Sequence, residues 1–511
     1  MKTIKSLKMY ITVWSVLLFT GTVFAQQPEI QYFRKYDKTG INVYETSKID
    51  STPFQGLRVR FGANFTQGYQ NFNHSNSAIA NLSGGIVETA PGSGIFVNGA
   101  GVPQPIVPDN SQPDQVYNVY RNTATGAIYN NSNALYQMAG GFPLAQANFN
   151  IDVQLADGVR VSLVSYMSSH HHNEFWVKGG YFQIDKVGFL NNDFLNKMWK
   201  NLTLKVGHME INYGDQHFRR SDGGNALWNP FMENNVMDEF TTEIGAELYW
   251  QKNGIIAMIG ATDGEIQGNV TKPVDRQPSI YGKLGYDKTF APRQRARLTG
   301  SFYSTSSSVS NTLMGGDRTG SNYQYVVQPY NATLTGNAFA GRFNPGLSDN
   351  ITAFMVNPSG KYNGLEFFGT WEMAYGNTAV ENGEIQYSNP AYPRFGALPN
   401  RYTNQYSADL IYRFGKNESF YVGYRWSQVT STIVSGTSTA QSTSGAQSGI
   451  SQGTRYGVGV DRSAFAAGWF LTKNVLFKAE YVTQSYSGYP TDNILSGAKF
   501  DGFVIQGTIG F

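Results

Sequence analysis

Cysteine is missing from all 511 residues, so neither a disulfide framework nor an acylated N-terminal cysteine is available. Charge is scarce: Asp, Glu, Lys and Arg together make 15% of the chain, against about 25% in an average soluble domain. A soluble array of β-sandwiches would carry more charge on its outer faces. Long apolar runs are also lacking, because the run from Ile11 to Phe19 falls short of the roughly 18 residues a membrane helix needs and no longer one follows. Histidine numbers only six. These absences leave a large soluble β-protein or a membrane barrel.

What is abundant separates the two. Aromatics reach 14%, with 32 Tyr and 33 Phe, and Gly numbers 56, a composition of strand formers and turns. The N-terminus carries Lys2, Lys5 and Lys8, the short apolar run, and then Val23-Phe24-Ala25, which together read as a secretory leader cleaved after Ala25. Losing it removes three of 39 basic residues, leaving 36 against 36 acidic ones. The mature chain is formally neutral, which excludes nucleic acid as a partner read from charge.

Barrel strands alternate a lipid-facing apolar residue with a polar or small one facing the lumen. Ala296, Leu298, Gly300 and Phe302 alternate in this way with Arg295, Arg297, Thr299 and Ser301. The same pattern holds for Phe420, Val422, Tyr424 and Trp426, for Ile244, Ala246, Leu248 and Trp250, and for Leu365, Phe367, Gly369 and Trp371. Strands are expected to begin near Leu57, Gln146, Gly158, Tyr181, Asn201, Thr241, Gly254, Ser279, Gln294, Gly364, Val380, Tyr402, Glu418, Arg455, Asn474 and Phe500, with the Val380 segment alternating poorly. Short links fall at Ala156-Asp157-Gly158, Lys252-Asn253-Gly254, Gly376-Asn377, Gly415-Lys416-Asn417 and Thr472-Lys473-Asn474, and a longer one at Gly188 to Lys200. Between them lie the long segments Gln70 to Leu144, Tyr213 to Phe240, Ser306 to Asn363 and Thr430 to Thr454, rich in loop residues. The expected fold is all-β: a transmembrane antiparallel barrel of about 16 strands over 56–511, with short periplasmic turns and long extracellular loops. A signal peptide occupies 1–25. The polar lead 26–55 either lies in the periplasm or folds into the lumen.

The last strand sets Phe503, Ile505, Gly507, Ile509 and Phe511 on one face and ends on the aromatic. It resembles the C-terminal signal by which the barrel-assembly machinery recognises outer-membrane proteins. The layout of about sixteen strands with a long loop after the fifth, carried by Lys205 to Trp250 with Tyr213-Gly214-Asp215, Phe218-Arg219-Arg220 and Asn229-Pro230-Phe231, resembles the outer-membrane porins, including their phosphate-selective-like branch. That resemblance implies a Gram-negative outer membrane, lipid contact around the barrel, passive transport and trimerisation.

Porins of this layout narrow where a loop folds inward. The segment Tyr213 to Glu239 offers Asp215, His217, Arg219, Arg220, Asp222, Glu233 and Asp238 as opposed charges across a constriction; an ordinary solvated loop is the plainer alternative. The inner wall carries Arg58, Arg60, Lys205, Arg295, Arg297 and Arg425 in slight excess over acids, which suggests a mild anion preference unless wall pairing cancels it. His170-His171-His172 are adjacent and ill placed to share a metal. No nucleophile, acid-base set or nucleotide loop is assembled, so neither catalysis nor a cofactor is expected. The leading expectation is passive diffusion of small hydrophilic solutes. The alternative is a structural or partner-binding barrel, an adhesin or envelope-complex subunit, with a plugged lumen.

Overall fold

The computed structural model describes residues 27–108, 119–167, 175–263, 277–306, 311–378, 399–435 and 454–511. The expected signal peptide, the His170–His172 trio, the strand near Val380 and most of the loop from Thr430 to Thr454 lie outside them.

Sixteen antiparallel strands close into one barrel. In chain order they are β1 (Arg58–Ser75), β2 (Gln146–Ala156), β3 (Val159–Met167), β4 (Trp176–Ile184), β5 (Leu202–Glu210), β6 (Thr242–Lys252), β7 (Ile255–Thr262) and β8 (Ser279–Ala291). There follow β9 (Gln294–Thr305), β10 (Ile351–Tyr362), β11 (Leu365–Gly376), β12 (Arg401–Phe414), β13 (Phe420–Ser435), β14 (Thr454–Thr472), β15 (Val475–Ser487) and β16 (Lys499–Gly510). Each pairs with its neighbours in sequence, and β1 closes on β16 from Asn64↔Gly510 to Ser75↔Lys499. Closure leaves no free edge, the condition for placing strands in hydrocarbon, where unpaired backbone groups cost several kcal/mol each.

Alternation produces the two faces as expected. In β9, Ala296, Leu298, Gly300 and Phe302 point out while Arg297, Thr299 and Ser301 are buried; in β16, Phe503, Ile505 and Ile509 are exposed and Val504, Gln506 and Thr508 buried. Exterior residues such as Ile259, Leu284, Leu298, Leu410 and Phe465 form an apolar surface that suits lipid and would be an aggregation hazard in water. No helix among the described residues is long and apolar enough to cross a membrane. The short helix α1 (Asp193–Trp199) sits in the longer link between β4 and β5, capped by Asn192.

The strand count agrees with expectation, but two positions do not. Ile351–Tyr362 is a barrel strand lying inside the expected loop Ser306 to Asn363. Gly376-Asn377 is no short link: β11 pairs directly with β12, Gly376 opposite Arg401, across a connection running from 377 to 400. The first half of the lumen face of β10 is apolar, with Ile351, Ala353 and Met355 nearly inaccessible before Asn357 follows on the same face, and this hid its alternation. The long segment after β1 also departs from a plain solvated loop: it forms two small sheets around Leu82, Ile86, Phe96 and Ile106.

Candidate functional site

The loop 211–241 after β5 turns into the lumen. Asp215 fixes it: Arg297 donates from Nε and Nη2, each at 2.8 Å, Thr299 from Oγ1 at 2.8 Å and Lys283 from Nζ at 3.0 Å, while the Asp215 amide donates to Asn357 Oδ1 at 2.8 Å. Burial works to raise the Asp215 pKa, but Arg297 and Lys283 overcome it and hold the carboxyl well below its usual range. Further along, Arg219 Nη1 reaches Asp409 at 3.1 Å, and Arg425 binds the same carboxylate through Nε at 2.6 Å and Nη2 at 2.8 Å. Arg220 is shared by Asp222 and Asp238, Asp222 by Lys178, and Glu233 accepts from Arg342 at 2.9 Å and Ser321 at 2.7 Å.

Wall side chains also grip the loop backbone. Lys478 donates to the carbonyls of Ala226, Asn229 and Phe231, Tyr421 to that of Pro230, and Gln405 holds both the amide and the carbonyl of Met237. Between these anchors Phe231, Met232, Val236 and Met237 are almost wholly inaccessible and pack with Tyr323 and Val326 from the later loop 311–350. Glu239 lies beside Glu372, with Gln405 reaching both carboxyls. Burial, helped by Asp238, raises the Glu239 pKa to about 7.

The N-terminal lead also enters the barrel. Gln31 receives a bond from and gives one to β2 and its turn, Tyr36 donates to Asp152 at 2.8 Å, and Glu45 pairs with Arg297 at 2.8 Å and Lys283 at 3.3 Å. Arg34 stacks on Trp228 at 3.6 Å and Tyr44 meets Phe218 edge-on at 5.6 Å, so lead and loop support each other.

On one side the loop and lead stand away from the wall. A cavity of about 250 Å³ is lined by β2 to β6, from Thr203 and Gln251 near the short-turn end to Lys178, Glu210 and Thr242 near the long-loop end. It thus follows the wall over most of the strand height. A second cavity, about 220 Å³, is lined by Arg219, Arg295, Lys361 and Glu418 among others.

Of the residues expected at a constriction, His217 lines the first cavity and Arg219 the second, whereas Asp215, Arg220, Asp222 and Glu233 are consumed by the contacts that hold the loop. His217 bonds Asn212 at 2.8 Å, and burial lowers its pKa, so it is neutral at neutral pH. Among wall residues, Lys205 lines the first cavity and Arg295 the second; Arg297 and Arg425 bind the loop; Arg60 donates to Pro28 of the lead at 3.3 Å and Arg58 contacts Gln55. Sequence reading missed Arg34, Tyr36, Tyr44, Glu45 and Trp228. A cluster of Tyr, Phe and Arg in a segment otherwise read as polar was the available signal.

No family model and no curated protein matches the chain. Solved structures do. The outer membrane channel DcaP of Acinetobacter baumannii is 9% identical, covering 89% of this chain and 98% of its own, with a TM-score of 0.43. The anion-selective porin from Comamonas acidovorans is 10% identical over 89% and 100%, at 0.37. A loop-deletion form of OmpT, an outer membrane protein of Vibrio cholerae, is 8% identical over 89% and 100%, at 0.41. These are likenesses of barrel layout, and no residue role is carried over from them.

Proposed function

We propose that the protein is a Gram-negative outer-membrane porin through which small hydrophilic solutes pass passively along the slot between the wall strands β2 to β6 and the inward-folded loop. The observation that carries this is the course of the cavity, lined by residues near both ends of those strands. Its lining mixes Asp152, Arg160, Lys178, Lys205 and Glu210 with aromatic rings, a surface that offers solutes partners in exchange for water. Of the wall cations behind the expected anion preference, Arg295, Arg297 and Arg425 are paired with Asp287, Asp215 and Asp409 and Arg58 and Arg60 contact the lead, which leaves Lys205 on the slot, joined there by Arg34 of the lead. Trimerisation, and assembly through the strand ending at Phe511, belong to the same proposal.

The apolar packing of Phe231, Met232, Val236, Met237, Tyr323 and Val326 within the lumen favours a second reading, a barrel sealed at rest. Single-channel recording in planar bilayers separates the two. A small, steady conductance supports the slot as a path; a reconstituted, folded barrel that passes no current supports the sealed form.

A further inference from the structure

Among the described residues, Arg34 and Glu210, two opposite charges that line the slot, have no permanently charged side chain within ion-pair distance, and Glu210 acts on Arg34 only at longer range. Arg34 donates from Nε to Gly40 at 3.0 Å and from Nη2 to Phe218 at 2.8 Å, both carbonyls, and its plane lies on Trp228. No carboxylate pairs with it among the described residues. Burial lowers its pKa to about 9, opposed by Tyr44 and Glu210, as expected of a cation without a counter-ion. Glu210, at the last position of β5, has His217 Nδ1 at 3.6 Å as its ionic neighbour, a ring that is neutral. Its Oε1 is buried and accepts no hydrogen bond. Lys178, also on the slot, is already paired with Asp222 and Asp317.

We propose that the slot holds a binding site for a small neutral zwitterion, an α-amino acid with an apolar or aromatic side chain, its carboxylate on Arg34 and its ammonium on Glu210. Both ends of such a ligand complete a group the protein leaves short. A lone anion would satisfy Arg34 and meet Glu210 as a like charge; a lone cation would do the reverse. Phe33, Tyr44 and Phe218 line the same slot and supply apolar surface for the ligand's side chain. A site that binds both termini discriminates by geometry as well as charge.

This rests on the slot being the solute path, and equilibrium binding tests it apart from conduction. The detergent-solubilised full barrel is titrated calorimetrically with L-phenylalanine, 3-phenylpropionate and 2-phenylethylamine. L-phenylalanine is expected to bind at least about tenfold more tightly than either half-ligand, since each of them leaves one of the two charges without its partner. Glu210→Gln should abolish its advantage over 3-phenylpropionate, and Arg34→Gln its advantage over 2-phenylethylamine. Heat-modifiable migration on a gel shows that each variant is folded; if Arg34→Gln undocks the lead, Glu210→Gln at the strand end still decides. Equal binding of L-phenylalanine and either half-ligand, or an unchanged ratio in folded Glu210→Gln, overturns the site. Binding by a barrel that does not conduct would keep the site and discard the path.

Discussion

The two sides of the lumen use the same residue types to opposite ends. Toward β8 to β15, Lys283, Arg297, Gln405, Arg425 and Lys478 of the wall meet a complement on the loop 211–241, with a second cavity left beside Arg219, Arg295 and Lys361. Toward β2 to β6, similar charges face a gap. Asp215 and Lys205 both belong to a wall-and-loop charge system, yet Asp215 is inaccessible and has four side-chain donors, counting Arg297 twice, whereas the ionic partner of Lys205 among the described residues is Glu247, at 3.7 Å. An ionic residue in a barrel is thus a clamp or a pore lining according to whether the loop docks on it, which counting charges cannot tell.

If that division is right, breaking the clamp should have the largest effect. Asp215→Ala strands Lys283 and Arg297 with only part of their compensation, and removing one partner of a buried ion pair costs about 3–5 kcal/mol. The cost falls on loop docking, because the barrel's own ladder is untouched. Single-channel conductance is expected to rise and to fluctuate, and the midpoint of urea unfolding, followed by gel migration, to fall. A variant with wild-type conductance and midpoint would mean that the loop is held elsewhere and that the two sides do not differ.

A milder perturbation acts through pH. The folded-state pKa of Glu239, about 7, lies above its ordinary value, because burial disfavours the charge. Its contribution to docking is therefore complete below the unfolded-state pKa and is lost as pH rises through about 7. Current fluctuations from loop movement should grow between pH 5 and 8 by this route. Glu239→Gln, which keeps the neutral form's shape, should flatten that dependence. A mutant whose fluctuations still rise over the same interval would exclude Glu239 as the titrating group.

How far these features could be read in advance follows from where each pattern is set. Strands facing lipid on one side and water or charge on the other, such as Phe420–Trp426, announce themselves, because the bilayer enforces alternation. Ile351–Tyr362 did not: Ile351, Ala353 and Met355 are nearly inaccessible, so both faces of its first half are apolar. Its signal lay instead in Asn363-Gly364, whose φ values of 47° and 96° make the tight hairpin turn favoured by that dipeptide. The inward loop was legible from its place after the fifth strand and its charge density. Which of its charges would clamp and which would line a gap depended on Asp409, Arg297 and Lys283, all far away in sequence. The lead's role depended on Trp228, which no local pattern ties to Arg34.

The smallest effect is expected at Lys205. Its ammonium lies 4.3 Å from the Tyr181 ring centroid and the side chain, 16% exposed, lines the slot, so removing it withdraws a charge that has no clamp on the loop. Glu247 does not become an orphan, since it still accepts from the Asn212 amide at 2.8 Å and from the hydroxyls of Tyr249 and Tyr281. Lys205→Ala should therefore change the unfolding free energy by no more than about 1 kcal/mol, the range of a weak, long pair. Its influence on permeating ions should appear as a modest shift of the reversal potential toward cations. That shift should be clearest at low ionic strength, because at 0.1 M salt the charge is screened beyond roughly 10 Å. A loss of stability approaching that of Asp215→Ala would show that Lys205 is buried against a docked surface, and the gap beside β2 to β6 would cease to be a path.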